Sequence, residues 1–111
     1  MTERVAYKDM SDRERQLRHD LAELLASAAL VRGTLAERAK SCGKPNCRCA
    51  RGEKHQAFYL VASEEGKPKQ LSIPKRLKDR VGTWAQTYKQ IREILEELSK
   101  IHWDRIKSRE M

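Results

Sequence analysis

The residues best suited to chemistry lie in one short segment, residues 41–55, which reads SCGKPNCRCARGEKH. The segment contains all three cysteines of the chain and ends in a histidine. Structural zinc sites take four thiolate or imidazole ligands in a tetrahedron, and glycine and proline allow the tight turns that enclose the ion. We therefore predict a structural zinc site with the ligands Cys42, Cys47, Cys49 and His55.

The spacing of these ligands leaves alternatives open. The pattern C-x4-C-x-C is not the usual C-x2-C pair, and two cysteines separated by one residue bind a single ion only under steric constraint. The fourth ligand could come from another part of the chain or from a second chain. Otherwise the cysteines are reduced thiols packed in a stiff loop. A thiol nucleophile is disfavoured, because no second histidine lies nearby to organise a catalytic set.

Lysine and arginine crowd the same part of the chain. The chain has 24 basic and 16 acidic residues, a net charge of +8, and residues 32–80 hold 13 of the basic and only 5 of the acidic ones. Because the whole positive excess lies there, we predict binding to nucleic acid, with DNA as the expected partner. The predicted nucleic-acid-binding residues are Lys40, Lys44, Arg48, Arg51, Lys54, Lys67, Lys69, Lys75 and Arg76. The alternative is a solvated basic face, or one that binds an acidic protein.

The elements that must position these residues begin with a helix. Residues 1–10 show no periodicity and are predicted to be flexible, and residues 11–111 are predicted to form a single domain. Ser11 and Glu14 form a capping-box pattern, and an apolar stripe follows it at helical spacing. The stripe consists of Leu17, Leu21, Leu24, Ala28 and Val31. We predict a helix over residues 11–31.

Residues 32–73 are predicted to contain the cysteine loop and a small antiparallel three-stranded sheet. The first strand is expected to end at the cysteine loop, and residues 57–63 and 69–73 read as a hairpin around a turn at residues 64–67. Phe58 and Leu60 fall on one face of the hairpin, and Leu71 and Ile73 are predicted to face inward. Tyr59 falls on the other face, where it either packs on the sheet or stacks on a base.

Residues 74–108 are predicted to form one long helix. Pro74 suits a first turn, and an apolar seam follows at spacings of 4 and 3. The seam consists of Leu77, Val81, Trp84, Tyr88, Ile91, Leu95 and Leu98. We predict an α+β fold in which this helix packs antiparallel to the first. The seam from Trp84 to Leu98 is also predicted to act as a partner helix, as a coiled coil in a homodimer or on a larger protein.

Several classes of protein are disfavoured by the sequence. It has no Gly-rich phosphate loop, no paired-carboxylate cluster and no H-E-x-x-H motif, so we do not expect an enzyme. No apolar segment resembles a signal peptide or a membrane span, so no membrane association is expected. Three cysteines fit a reducing cytoplasm better than a secreted disulfide framework.

Four short stretches carry a family resemblance: GTLAER at residues 33–38, the run CGKPNCRCARGEKH, then FYL and SIPK. They resemble a family of short prokaryotic proteins of unknown function whose genes often lie near transposase or integrase genes. The resemblance spans residues 32–101 and implies a hairpin, a long C-terminal helix and a mobile-element context. Members commonly carry His-Gly-Pro-Tyr where this chain has His55, Gln56, Ala57 and Phe58.

Together these patterns predict a small basic accessory protein that binds nucleic acid, is stabilised by zinc and is associated with mobile elements. The alternative is a protein–protein adaptor, whose C-terminal helix docks on a larger partner such as a transposase or forms a dimer.

Overall fold

The computed structural model of the protein describes residues 2–40 and 55–109. It confirms the predicted α+β fold: an N-terminal helix, a three-stranded antiparallel sheet and a long C-terminal helix. The elements in chain order are a 3-10 helix Tyr7–Asp9, α1 Asp12–Ser27, β1 Thr34–Lys40, β2 His55–Glu64, β3 Lys67–Ile73, a 3-10 helix Lys75–Leu77 and α2 Lys78–Ser108.

The described chain divides into two compact units. Met1–Ala29 and Thr87–Met111 form what we call the helix unit, and Leu30–Gln86 form the sheet unit. The helix unit contains α1 and most of α2, while the sheet unit contains the three strands and the first turns of α2.

Helix α1 begins where the capping pattern places it. The Ser11 hydroxyl accepts a hydrogen bond of 3.1 Å from the Glu14 backbone N–H, which satisfies one free donor of the first turn. The helix ends at Ser27, earlier than predicted, because Ala28 takes an extended conformation (φ −120°, ψ 141°). The backbone N–H of Val31 then donates to the Trp84 carbonyl at 3.2 Å instead of to a helical carbonyl.

Within the helix unit, α1 and α2 pack antiparallel, as predicted. Arg13, near the start of α1, donates hydrogen bonds of 2.8–3.1 Å to both carboxylate oxygens of Glu97, late in α2. Arg105, in the last turn of α2, donates to the Asp9 carbonyl just before α1. The start of one helix therefore lies beside the end of the other, over a core that contains Leu17.

The sheet has the strand order β1-β2-β3, with both neighbouring pairs antiparallel. In the middle strand, Phe58 pairs with Glu37 on one side and with Ile73 on the other. The β2–β3 connection is a two-residue turn in which Glu65 (φ 52°) and Gly66 (φ 78°) are both left-handed. This is the turn geometry whose twist matches that of the flanking strands in a hairpin.

One face of the sheet packs against the start of α2. Phe58, Ile73 and Val81 are buried together, and four partly buried residues surround them: Val31, Leu35, Leu60 and Leu77. Leu71 was predicted to face inward with Ile73, but it is 60% exposed. It lies closer to the hairpin turn than Ile73, on the edge strand β3, and the core cluster does not extend to it.

Helix α2 runs without a break through Gly82, as one helix. Along the predicted seam burial is uneven: Leu95 is 50% exposed, whereas Thr87 and Ile91 are only 6% and 7% exposed. A straight α-helix drifts by about 20° per heptad, so a seven-residue repeat rotates away from a fixed core over three heptads. Trp84, Tyr88 and Leu98 are half-buried.

Candidate nucleic-acid interface

The cysteine segment leaves the sheet and returns to it at one end. Lys40, the last residue of β1, pairs with His55, the first residue of β2. Paired strands lie about 5 Å apart, so the two residues that flank the segment 41–54 are held close together. The predicted zinc ligands Cys42, Cys47 and Cys49 lie outside the described residues, as do Lys44, Arg48, Arg51 and Lys54. For Lys40 and His55, the structure describes the position in the strand but not the side chain.

Two of the predicted phosphate ligands lie at this same end of the sheet. Strand β3 ends at Ile73, which pairs with Phe58 near the start of β2, and Lys75 and Arg76 follow it directly. Both side chains are exposed, and neither forms an ion pair within residues 2–40 and 55–109. They lie in the 3-10 helix that leads into α2, and the Lys78 backbone N–H donates to the Lys75 carbonyl.

Lys67 and Lys69 lie at the opposite end, beside the hairpin turn. Lys67 pairs with Glu64 at the far end of β2, about 30 Å from His55 for a strand of this length. The Lys69 ammonium donates to the Glu64 carboxylate at 3.0 Å. This hydrogen bond and the positive charge of Lys69 hold the pKa of the Glu64 carboxyl below its usual value. The predicted nucleic-acid-binding residues are therefore divided between the two ends of the sheet. The charge of Lys69 is also partly compensated by Glu64.

The structure adds two residues that sequence reasoning missed, Arg38 and Gln70. The Arg38 guanidinium donates to the Gln70 side-chain oxygen at 3.0 Å, and its central carbon lies 5.4 Å from the centroid of the Tyr59 ring. Arg38 is on β1, Tyr59 on β2 and Gln70 on β3, so the group spans all three strands. Strand alternation correctly placed Tyr59 on the face opposite Phe58, but the register across the sheet was needed to find its neighbours.

The predicted partner helix is only partly available as a surface. Ile91 is buried in the helix unit, whereas Leu95 is half-exposed. Further along α2, Trp103 and Ile106 are 63% and 47% exposed, and the sequence analysis had not selected either of them.

A second charged group lies in the helix unit around Glu14, whose side chain is fully buried. One carboxylate oxygen accepts from the Arg18 Nε at 2.8 Å and lies 3.9 Å from the His102 Nε2. The other lies 3.5 Å from the Arg105 Nη2 and has no hydrogen bond in the described structure. This buried carboxylate joins α1 to α2 and is remote in sequence from the basic segment.

The two compact units differ sharply in charge. Leu30–Gln86 contain 13 basic and 5 acidic residues, and the rest of the chain contains 11 of each. The whole net charge of the protein therefore belongs to the sheet unit.

Comparison with known protein families shows the family to which the chain belongs. The sequence profile of the family described as "Domain of unknown function (DUF6788)" matches residues 7–82, more than half of the chain. The chain belongs to the DUF6788 family. The DUF6788 match includes α1, the whole sheet and the first turns of α2, and it ends before the exposed residues Leu95, Trp103 and Ile106. No curated protein and no solved structure matches this DUF6788 chain.

The DUF6788 description assigns no function to its members. In the part of the chain that the structure describes, neither helix is both long enough and apolar enough to cross a membrane.

Proposed function

We propose that the chain is a small nucleic-acid-binding accessory protein that contacts phosphate through its sheet unit. The observation that carries this proposal is the confinement of the net charge of +8 to Leu30–Gln86, whereas the helix unit has no net charge. Phosphate contacts supply most of the non-specific affinity of proteins for nucleic acid. A charge that merely kept the protein in solution would not need to be confined in this way.

The contacts themselves are proposed to lie at the end of the sheet where residues 41–54 leave and return. Lys75 and Arg76 lie there, are exposed and have no carboxylate partner in the described structure. The four basic residues within the segment, Lys44, Arg48, Arg51 and Lys54, are attached at the same end. The segment is proposed to be stabilised by zinc, with His55 as one ligand, because the strand pairing keeps its two ends together.

The accessory role is proposed to belong to mobile elements. This part rests on the resemblance of the cysteine segment to proteins encoded beside transposases and integrases. It adds a context to the proposal and does not change the chemistry of the phosphate contacts.

Fluorescence anisotropy with labelled duplex and single strands, at several salt concentrations, tests the proposal. We expect affinity to fall steeply with salt, and Lys75→Ala/Arg76→Ala to reduce the slope of log K against log salt for duplex DNA by about 1.8, the loss of two phosphate contacts. A matched control, Lys89→Ala/Arg92→Ala, removes the same charge from exposed positions of the helix unit. Absence of binding at low salt, or an equal effect of both variants, would contradict the proposal.

A second candidate function is an adaptor that uses α2. It is favoured by the exposure of Leu95, Trp103 and Ile106. Leu95 and Ile106 are about three helical turns apart and therefore lie on one stripe. Large apolar side chains exposed in this way mark protein interaction sites when they are contiguous.

Light scattering after size exclusion separates the two functions. If the adaptor function holds, Leu95→Asp abolishes dimerisation or capture of a transposase-type partner and leaves nucleic-acid affinity unchanged. Arg92→Asp, an exposed polar neighbour one turn earlier, serves as the control for added negative charge. A wild-type chain that is monomeric and binds no partner would remove the adaptor.

A further inference from the structure

The sheet has an outer face, turned away from the core, which we define by its pairing. Tyr59 pairs with Ala36 on β1 and with Ser72 on β3, so these three residues share the face opposite to Phe58 and Ile73. Alternation along the strands completes the described outer face: Thr34, Ala36, Arg38, Ala57, Tyr59, Val61, Ser63, Pro68, Gln70 and Ser72. The core cluster draws its strand residues from the other face.

The outer face carries positive charge without compensation. None of its described residues is acidic, because the two strand carboxylates, Glu37 and Glu64, fall on the alternate positions with Phe58. Arg38 is held by the neutral amide of Gln70, and no carboxylate in the described part of the chain pairs with it. The guanidinium is therefore oriented but keeps its full charge for an anion.

The same face offers an aromatic ring at its centre. Tyr59 stands on the middle strand between Ala36 and Ser72, whose side chains are too short to cover a ring. The Arg38 guanidinium lies 5.4 Å from the ring centroid, within the range of cation–π attraction but farther than the 3.5–4 Å of planes in close contact. The guanidinium therefore lies over the partly buried ring, at a distance that is longer than van der Waals contact.

The helix unit contains a second arginine–tyrosine pair, which differs from Arg38 and Tyr59 in the compensation of its charge. The Arg15 guanidinium lies 4.3 Å from the Tyr7 ring centroid, a closer contact. Arg15, however, forms an ion pair of 3.5 Å with Asp12 and donates to the Tyr7 carbonyl. Its charge is compensated locally, and its unit has no net charge, so the Tyr7 pair has no electrostatic reason to attract an anion.

We infer that the outer face is a base-stacking site for single-stranded nucleic acid, with a base on Tyr59 and a neighbouring phosphate on Arg38. This inference rests on the proposed function and names its substrate class. A sheet face with a central, partly exposed aromatic ring and a cation beside it suits splayed bases, since every base has a π-face and strands carry a phosphate at each step. The bases of a duplex are already stacked on one another and cannot reach the ring.

The test compares single-stranded oligo-dT and oligo-U with a duplex of equal length by anisotropy, using the full chain. Tyr59→Leu keeps apolar bulk and removes the ring, and we expect it to weaken single-strand binding about 5- to 150-fold without changing the salt slope. Tyr59→Phe keeps the ring and should bind as the wild type does. Arg38→Gln should lower the single-strand salt slope by about 0.7. The matched control is Tyr7→Leu, which should bind as the wild type does.

The outcomes separate the inference from the function on which it rests. If the wild type binds with a steep salt slope but Tyr59→Leu, with an unchanged thermal midpoint, binds single strands equally well, the stacking site is wrong and phosphate binding stands. If the wild type prefers duplex and loses no affinity with Tyr59→Leu, the site is likewise wrong. If the wild type binds no nucleic acid at low salt, the proposed function and the site fail together.

Discussion

Lys40 and His55 pair directly across β1 and β2, although residues 41–54 lie between them in the chain. The sheet thereby holds the two residues that flank the cysteine segment at the spacing of one strand pair. The backbone of His55, the proposed fourth zinc ligand, is held by this pairing.

We expect the purified protein to contain about one zinc ion per chain and to melt at a lower temperature in the presence of a chelator. Elemental analysis and thermal denaturation with and without chelator measure both quantities. Cys47→Ser should reduce the metal content and the effect of the chelator. A metal-free wild type with an unchanged melting temperature would instead support reduced thiols packed in the loop.

Gly33→Ala should destabilise the protein by about 1–3 kcal/mol. Gly33 has a φ of 146°, and a Cβ there would lie 2.9 Å from the Leu60 Cδ1 and 3.0 Å from the Val61 carbonyl oxygen. The backbone conformation of Gly33 is therefore one that other residues rarely adopt, and there is no space for a Cβ. Urea unfolding followed by circular dichroism gives the change, and an unaltered midpoint would contradict it.

Gly82→Ala should change the free energy of unfolding in the opposite direction and stabilise the protein. Gly82 lies inside α2, and a Cβ there would make an ordinary contact of 3.5 Å with the Leu35 Cδ2. Alanine restricts the unfolded chain and favours the helix, so we expect a gain of about 0.5–1 kcal/mol in the free energy of unfolding. The same urea titration tests it, and a loss of stability would show that α2 needs the glycine.

Glu14→Gln should lower the free energy of unfolding by about 2–4 kcal/mol, because a neutral amide leaves the guanidinium groups of Arg18 and Arg105 without their buried counter-charge. The control is Glu97→Gln, which removes an exposed partner of Arg13 and should cost less than about 1 kcal/mol. Chemical denaturation of the two variants under identical conditions makes the comparison. Equal effects would mean that burial of Glu14 contributes nothing.

The carboxyl group of Glu64 should titrate below its usual pKa of 4.5, because Lys69 donates to its charged form. A folded-state pKa below the unfolded value means that the interaction stabilises the fold above pH 4.5 and is lost as the pH falls through the folded-state pKa. Carboxyl NMR titration measures this pKa directly. Lys69→Met should return it toward 4.5, whereas Lys67→Met should have little effect, and the reverse order would be inconsistent with the observed hydrogen bond.

Local sequence rules predicted the elements of the fold. Ser11 marked the start of α1, alternation around Phe58 gave the hairpin, and the pair Glu65 and Gly66 marked its turn. These features depend on residues that are close together in the sequence, so the local sequence is enough to predict them.

Features that depend on distant residues were missed or misplaced. The approach of Arg38 to Tyr59 and Gln70 requires the register of three strands, and the burial of Glu14 requires α2 to lie against α1. Leu71 was misplaced because strand alternation gives the face on which a residue lies but not how far along β3 the core extends.

The turn at Glu65 and Gly66 also has a practical consequence. A Cβ built on Gly66 would have no atom of the described structure within 4 Å, and the turn lies at the end of the sheet away from the cysteine segment. Exposed turn tips of this kind tolerate foreign sequence. A fluorophore or a short affinity peptide placed at Glu65 would therefore report on the sheet from a position away from both the proposed zinc ligands and the proposed stacking residues.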